Sequence, residues 1–152
     1  MEPRTARDEL DAVRVRRAEL RESLGFVERC LAAPASGRAV VWGEAVHDAL
    51  GTLARDFDSH IQVTEGPDGL HQSILARDLR LTNAVTRLTN EHADIAAEIA
   101  SLVADSEPPV TEQDVDTLRN RATRLLGHVV RHRQTGADLV YEAFHTDVGG
   151  VD

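Results

Sequence analysis

"QVTEGPDGLHQSILARDLRL", residues 62–81, is the stretch on which the fold turns. Glu65-Gly66-Pro67-Asp68-Gly69 sets two glycines and a proline within five residues, a composition that ends a helix and builds a tight turn. The segment after the turn admits two readings. Residues 70–78 are either the first turns of a long third helix or a separate short helix, and the difference decides whether side chains on the second and third helices meet at one level.

Before the turn, Trp42, Val46, Ala49, Leu50, Leu53, Phe57 and Ile61 recur at helical spacing and define a helix over about residues 39–64. Further back, Leu10, Val13, Leu20, Leu24, Val27 and Leu31 define a first helix over about 5–32, closed by Pro34-Ala35-Ser36-Gly37. After the turn, Leu81, Val85, Leu88, Ile95, Ile99 and Leu102 give a third helix, 70–105 on the continuous reading, which stops before Ser106-Glu107-Pro108-Pro109. Thr111 followed by Asp114 makes a capping-box-like start to a fourth helix over about 111–146, with Val115, Leu118, Ala122, Leu125, Val129, Leu139 or Val140, and Ala143 on its apolar face. No alternating β-branched stretch offers a strand. Long helices with one apolar stripe each have few other ways to bury it, so the expected fold is all-α, an up-down-up-down four-helix bundle, as a single domain over 1–152.

Composition narrows the function. The net charge of -9 sets up a field that repels nucleic-acid phosphate and anionic membrane surfaces, so neither is an expected partner. There is no apolar run of about 18 residues and no signal-like N-terminal segment, which points away from membrane insertion and secretion. Cys30 is the single cysteine; it can form neither an intrachain disulfide nor a cysteine zinc cage, fits a reducing cytoplasm, and reads as a small hydrophobe on the first helix. All 17 basic residues are arginine, which excludes Schiff-base chemistry and a P-loop lysine. Neither G-x-S-x-G nor H-E-x-x-H occurs, and whether the chain is an enzyme stays open.

The histidines carry the most information. His60 follows Phe57 by three and Leu53 by seven, His92 follows Leu88 by four and Val85 by seven, and His132 follows Val129 by three and Leu125 by seven, so all three fall on inward stripes of different helices. His128, one turn before His132, shares part of that face, while His47, His71 and His145 fall at stripe edges or helix ends. Bundle cores hold metal through inward histidines and carboxylates of facing helices. Glu65, Glu91, Asp56 and Glu142 are near enough in sequence to supply oxygen, and Tyr141 a ligand or hydrogen-bond donor; Glu142 also suits orienting an imidazole from behind.

"FDSHIQVTEG" (57–66), "LTNEHADIAAEI" (88–99) and "LLGHVVRHRQ" (125–134) together resemble the histidine-bearing helices of the hemerythrin-like, or HHE cation-binding, family of four-helix bundles with a non-heme di-iron centre. The resemblance covers about residues 40–146 and implies His60, His92 and either His128 or His132 as iron ligands. It departs from the family at Thr64, where a carboxylate is expected and Glu65 stands one step later, at His132-Arg133, where an acidic residue is expected, and in the first helix, which has no histidine. These departures leave a mononuclear site, a rearranged site or a bundle without metal.

Axial levels add a condition. With about 1.5 Å rise per residue, a straight third helix places His60 roughly 27 Å from the level of His92, so the two meet only if residues 70–80 form a separate piece. On the same arithmetic His128 folds back to within about 6 Å of the level of His92 and His132 to about 12 Å, which favours the pair His92 and His128.

Two functions are open on these residues. The first is a hemerythrin-like bundle holding mono- or di-nuclear non-heme iron at His60, His92, His128 and His132 with Glu91 and Glu65, and taking oxygen, nitric oxide or peroxide for sensing or detoxification. The second is a metal-free helical interaction or regulatory module with a protein partner or a second copy of itself, in which the inward histidines form a structural polar network with Arg133, Asp138 and Glu142. The basic first helix, with Arg4, Arg7, Arg14, Arg16, Arg17 and Arg21, would serve the second, unless it is a solvated face paired with Asp8, Glu9, Asp11, Glu19 and Glu22.

Overall fold

A computed structural model describes the backbone of residues 6–149 and the side chains of 7, 8 and 11–144. The expectations placed on Arg4, on the side chains of Glu9, Leu10 and His145, and on a helix start at residue 5 lie outside the described residues. Four long helices, α1 (Ala6–Ala32), α2 (Ala39–Glu65), α4 (Thr82–Asp105) and α5 (Glu112–Gly149), form an all-α four-helix bundle, with a short α3 (Leu70–Arg77) inserted between α2 and α4. None of the described helices is long and apolar enough to cross a membrane.

The apolar stripes bury as their spacing requires. Leu20, Leu24, Val27 and Leu31 of α1 pack with Trp42, Val46, Leu50, Leu53 and Phe57 of α2, the most extensive helix pairing. Ile95, Ile99 and Leu102 of α4, with Val115, Leu118, Leu125 and Val129 of α5, complete one large cluster. A second, smaller cluster gathers Val13, Leu70, Ile74, Leu81, Val85, Leu88, Leu139 and Ala143. Burying each such side chain stabilises the fold by about 1.5–3 kcal/mol, so the two clusters dominate the energetics. Between them, on α2, α4 and α5, the stripe positions are histidines.

The third helix expected over 70–105 is broken. Asp78 is extended (φ -152°, ψ 102°), and its carboxylate accepts the backbone N–H of Arg80, opening a 3-10 turn over Leu79–Leu81. A short acidic side chain that bonds the backbone two residues on competes with the helical ladder, which is why the chain bends here without proline or glycine. α3 instead touches α1, α2, α4 and α5 and closes one end of the histidine layer with Leu70 and Ile74. Gly69 allows the tight return, because a Cβ there would lie 2.7 Å from the Thr64 carbonyl oxygen.

At the other end, Thr111 opens α5: its hydroxyl donates to the Asp114 carboxylate at 2.8 Å, and Asp114 also accepts the Thr111 N–H at 3.4 Å. Val110, just before it, is 2% exposed and packs directly on Gly43 of α2. A methyl group on Gly43 would overlap the Val110 side chain. Gly43→Ala is therefore expected to destabilise the bundle by about 1–3 kcal/mol despite the better helix propensity of alanine, read as a lower urea midpoint at unchanged slope.

Candidate metal centre

His60, His92 and His132 converge. One ring nitrogen from each lies within 4.8 Å of the others, and all three side chains are buried. Ring centroids stand 5.1 Å apart for His60 and His92, 5.7 Å for His60 and His132, and 4.7 Å for His92 and His132. Phe57, one turn before His60, sets its ring edgewise to His92 and His132 and separates the cluster from the larger apolar core.

The break at Asp78 makes this meeting of α2 and α4 available, since α4 starts only after the chain has crossed the bundle in α3. The register of α5 has a different origin. The Ala39 N–H donates to the Glu112 carboxylate at 3.3 Å, tying the starts of α2 and α5 together. Counting inward, His60 is 21 residues after Ala39 and His132 is 20 after Glu112, so the two arrive at one level. α4 ends earlier, and the segment from Ser106 to Thr111 covers the remaining length. Back-folding arithmetic that treats this segment as a compact turn selects His128; the buried Val110 anchor selects His132. His128 lies outside the cluster, where its Nδ1 is 3.1 Å from Glu98.

Carboxylates hold two of the three rings. His92 Nδ1 donates to Glu65 at 2.6 Å, and His132 Nδ1 donates to Glu91 at 3.1 Å. Glu65 and Glu91 thus lie behind the imidazoles, and Nε2 is the nitrogen each of these two rings has left to offer. The expected carboxylate position, Thr64, returns its hydroxyl to the His60 carbonyl at 2.8 Å. His60 Nδ1 is buried with no partner. An unpaired buried polar atom of this kind costs about 1–3 kcal/mol.

A fourth histidine joins. His71 of α3 is buried, stacks on His92 at 5.5 Å with a 6° interplanar angle, and bonds Thr89 through Nδ1 at 3.1 Å. Its spacing places it at a stripe edge or helix end; the signal for burial is Ile74, three residues on and on the same face of a short separate helix. The other candidates fall elsewhere. Tyr141 and Glu142 are exposed, Asp56 accepts a hydrogen bond from Ser23 of α1, and His47 lies against Ser106.

Burial keeps the cluster neutral. Desolvation, reinforced by the neighbouring His92 and His132, pushes His60 down to about 3. Desolvation and His132 push His92 down to about 3 against the pull of Glu91, and desolvation followed by His92 pushes His71 down to about 4. His132 is lowered by burial, with its hydrogen bond to Glu91 opposing. At neutral pH the three rings present lone pairs rather than charges, the form in which imidazole binds a metal. They line a small, partly open cavity of about 30 Å³, more than the roughly 10–15 Å³ that a single water needs.

Comparison with known proteins found no matching family, no matching curated protein and no matching solved structure.

Proposed function

We propose that this protein is a metal-binding helical bundle of hemerythrin-like kind, holding one non-heme iron ion at His60, His92 and His132 and taking a small ligand such as oxygen, nitric oxide or peroxide at the open side of the site. The observation that carries this reading is the convergence of three neutral imidazoles, two with Nδ1 held by a carboxylate and the third with a buried Nδ1 that has no partner. Histidine ligands are oriented in this way in metal sites, where the carboxylate fixes the tautomer and raises the basicity of the other nitrogen. A purely structural polar network would be expected to pair every buried group, and His60 Nδ1 stands against that alternative.

The donor set suits a single ion. Three nitrogens with Glu65 and Glu91 engaged behind them leave no bridging carboxylate among the described residues, and neutral imidazole suits iron, zinc, copper and nickel. Bound iron would supply reversible one-electron chemistry and open coordination positions for a small ligand. The chain supplies the rest. Glu65 and Glu91 orient the rings, Phe57 and Leu88 exclude water from two sides, and Leu70 and Ile74 of α3 cover the cavity.

Elemental analysis of untagged protein produced with iron and zinc both supplied tests this. About one iron per chain with a visible charge-transfer band is expected. One zinc per chain would keep the site and remove the redox role; protein that stays helical and takes up neither ion on reconstitution would overturn the reading and leave the interaction module.

A further inference from the structure

Two arginines share the wall of the histidine cavity. Arg17 of α1 and Arg133 of α5 line it beside His60, His71, His92 and His132. Arg14 and Arg16 keep to the solvated pattern, pairing with Asp11 and Glu19 on their own helix. Arg17 does not: it turns inward, and its Nη2 donates to the backbone oxygen of Arg133 at 3.5 Å. Arg133 Nε is buried and has no partner.

The arrangement places two like charges together, partly desolvated, in a chain with 26 acidic and 17 basic residues. Among the described residues, no carboxylate forms an ion pair with either guanidinium. Burial lowers Arg17 below its ordinary range, and burial with the neighbouring Arg17 and Arg21 charges does the same to Arg133. A half-buried guanidinium with no carboxylate partner carries part of the cost of desolvating a charge, and a counter-charge in the cavity would offset it.

We infer that the cavity binds a small anion between the guanidiniums of Arg17 and Arg133, facing the three histidines. The small, partly open cavity of about 30 Å³ suits a small monoanion of the nitrite, formate or azide kind. A planar oxyanion matches the guanidinium fork, and an N–H with no protein acceptor is the donor it would take. The site needs no metal, and it would set an anionic ligand next to the ion proposed above.

Sodium nitrite titrated into chelator-stripped protein, against sodium chloride at equal ionic strength, tests the assignment by calorimetry. Saturable binding of one nitrite per chain is expected, with affinity falling about tenfold or more in Arg133→Gln and in Arg17→Gln. Both variants remove one of two adjacent like charges, so helicity by circular dichroism is expected to stay at the wild-type level. If either fails to fold, the ¹⁵N resonance of Arg133 Nε in the unaltered protein decides, since nitrite bound there shifts it and chloride does not. Equal responses to nitrite and chloride, or variants that bind nitrite as the wild type does, overturn the inference. Because the protein is metal-free throughout, failure here leaves the metal reading standing, and absence of metal uptake leaves this one standing.

Discussion

His92→Ala is expected to abolish stoichiometric metal uptake while the bundle remains helical. His92 sits at the centre of the cluster, within 5.1 Å of His60, 4.7 Å of His132 and 5.5 Å of His71 by ring centroids, so its removal takes away one of three donors and the support of a second ring. The loss should exceed the roughly 10–100-fold that comes from disturbing a group behind a ligand. Glu65→Gln belongs to that milder class: it keeps the shape and weakens the hold on His92 Nδ1, and affinity should fall by about 10–100-fold. His128→Ala is the internal control, because His128 is paired with Glu98 outside the cluster and uptake should not change. Competition against a chromogenic chelator reads all three, with His92→Gln added to preserve volume if the alanine variant is unstable. Uptake by His92→Ala at wild-type affinity, or its loss in His128→Ala, would sink the proposed ligand set.

Acid is expected to destabilise the metal-free protein from about pH 6.5 downwards, before its ordinary carboxylates begin to titrate. His60 and His92 are held down to about 3 in the folded chain, against 6.5 for an ordinary histidine. Between those values the unfolded chain binds protons that the folded chain does not, so each fall in pH favours unfolding. Their contribution is intact above pH 6.5 and is lost progressively as the pH drops towards 3. Each such group loses up to about 1.4 kcal/mol per pH unit in this window, or roughly 2–3 kcal/mol over two units. His71, lowered to about 4, adds to the same slope. With a total stability of about 5–15 kcal/mol, two or three such groups bring the fold close to its limit by roughly pH 4. His60→Leu should flatten the profile and raise stability at pH 5, since it removes a buried group that cannot be charged and a nitrogen with no partner. Urea midpoints of chelator-treated protein at half-unit steps from pH 7.5 to 4 give the slope; a flat profile, or the same slope in His60→Leu, would refute the account.

Much of this was legible in the residues. The stripes of α1, α2, α4 and α5 bury the side chains that a three-and-four spacing selects, with Ile61 and Val140 only half-buried at the margins. His60, His92 and His132 belong to the same stripes, which is why their inward orientation could be read without a structure. The break at Asp78 could not. It depends on one side-chain to backbone bond to Arg80 in a stretch whose apolar spacing also suits a continuous helix. Arg17 reads as one more rung of an exposed charge ladder, and only the packing of α1 against α5 turns it to the Arg133 carbonyl.

Helical period and burial are local properties of each segment, so the residues alone specify the all-α bundle and the inward histidines. Tertiary structure alone decided which histidines meet. That choice depends on the lengths consumed outside the helices: α3 spends residues 70–77 crossing the bundle before α4 begins, and Val110 locks onto Gly43 so that α5 starts level with α2. Those offsets bring His132 rather than His128 to His92, draw His71 onto its face, and set Glu65 and Glu91 behind the rings. Axial register is a sum over every turn and anchor in the chain, and no stripe on a single helix records it.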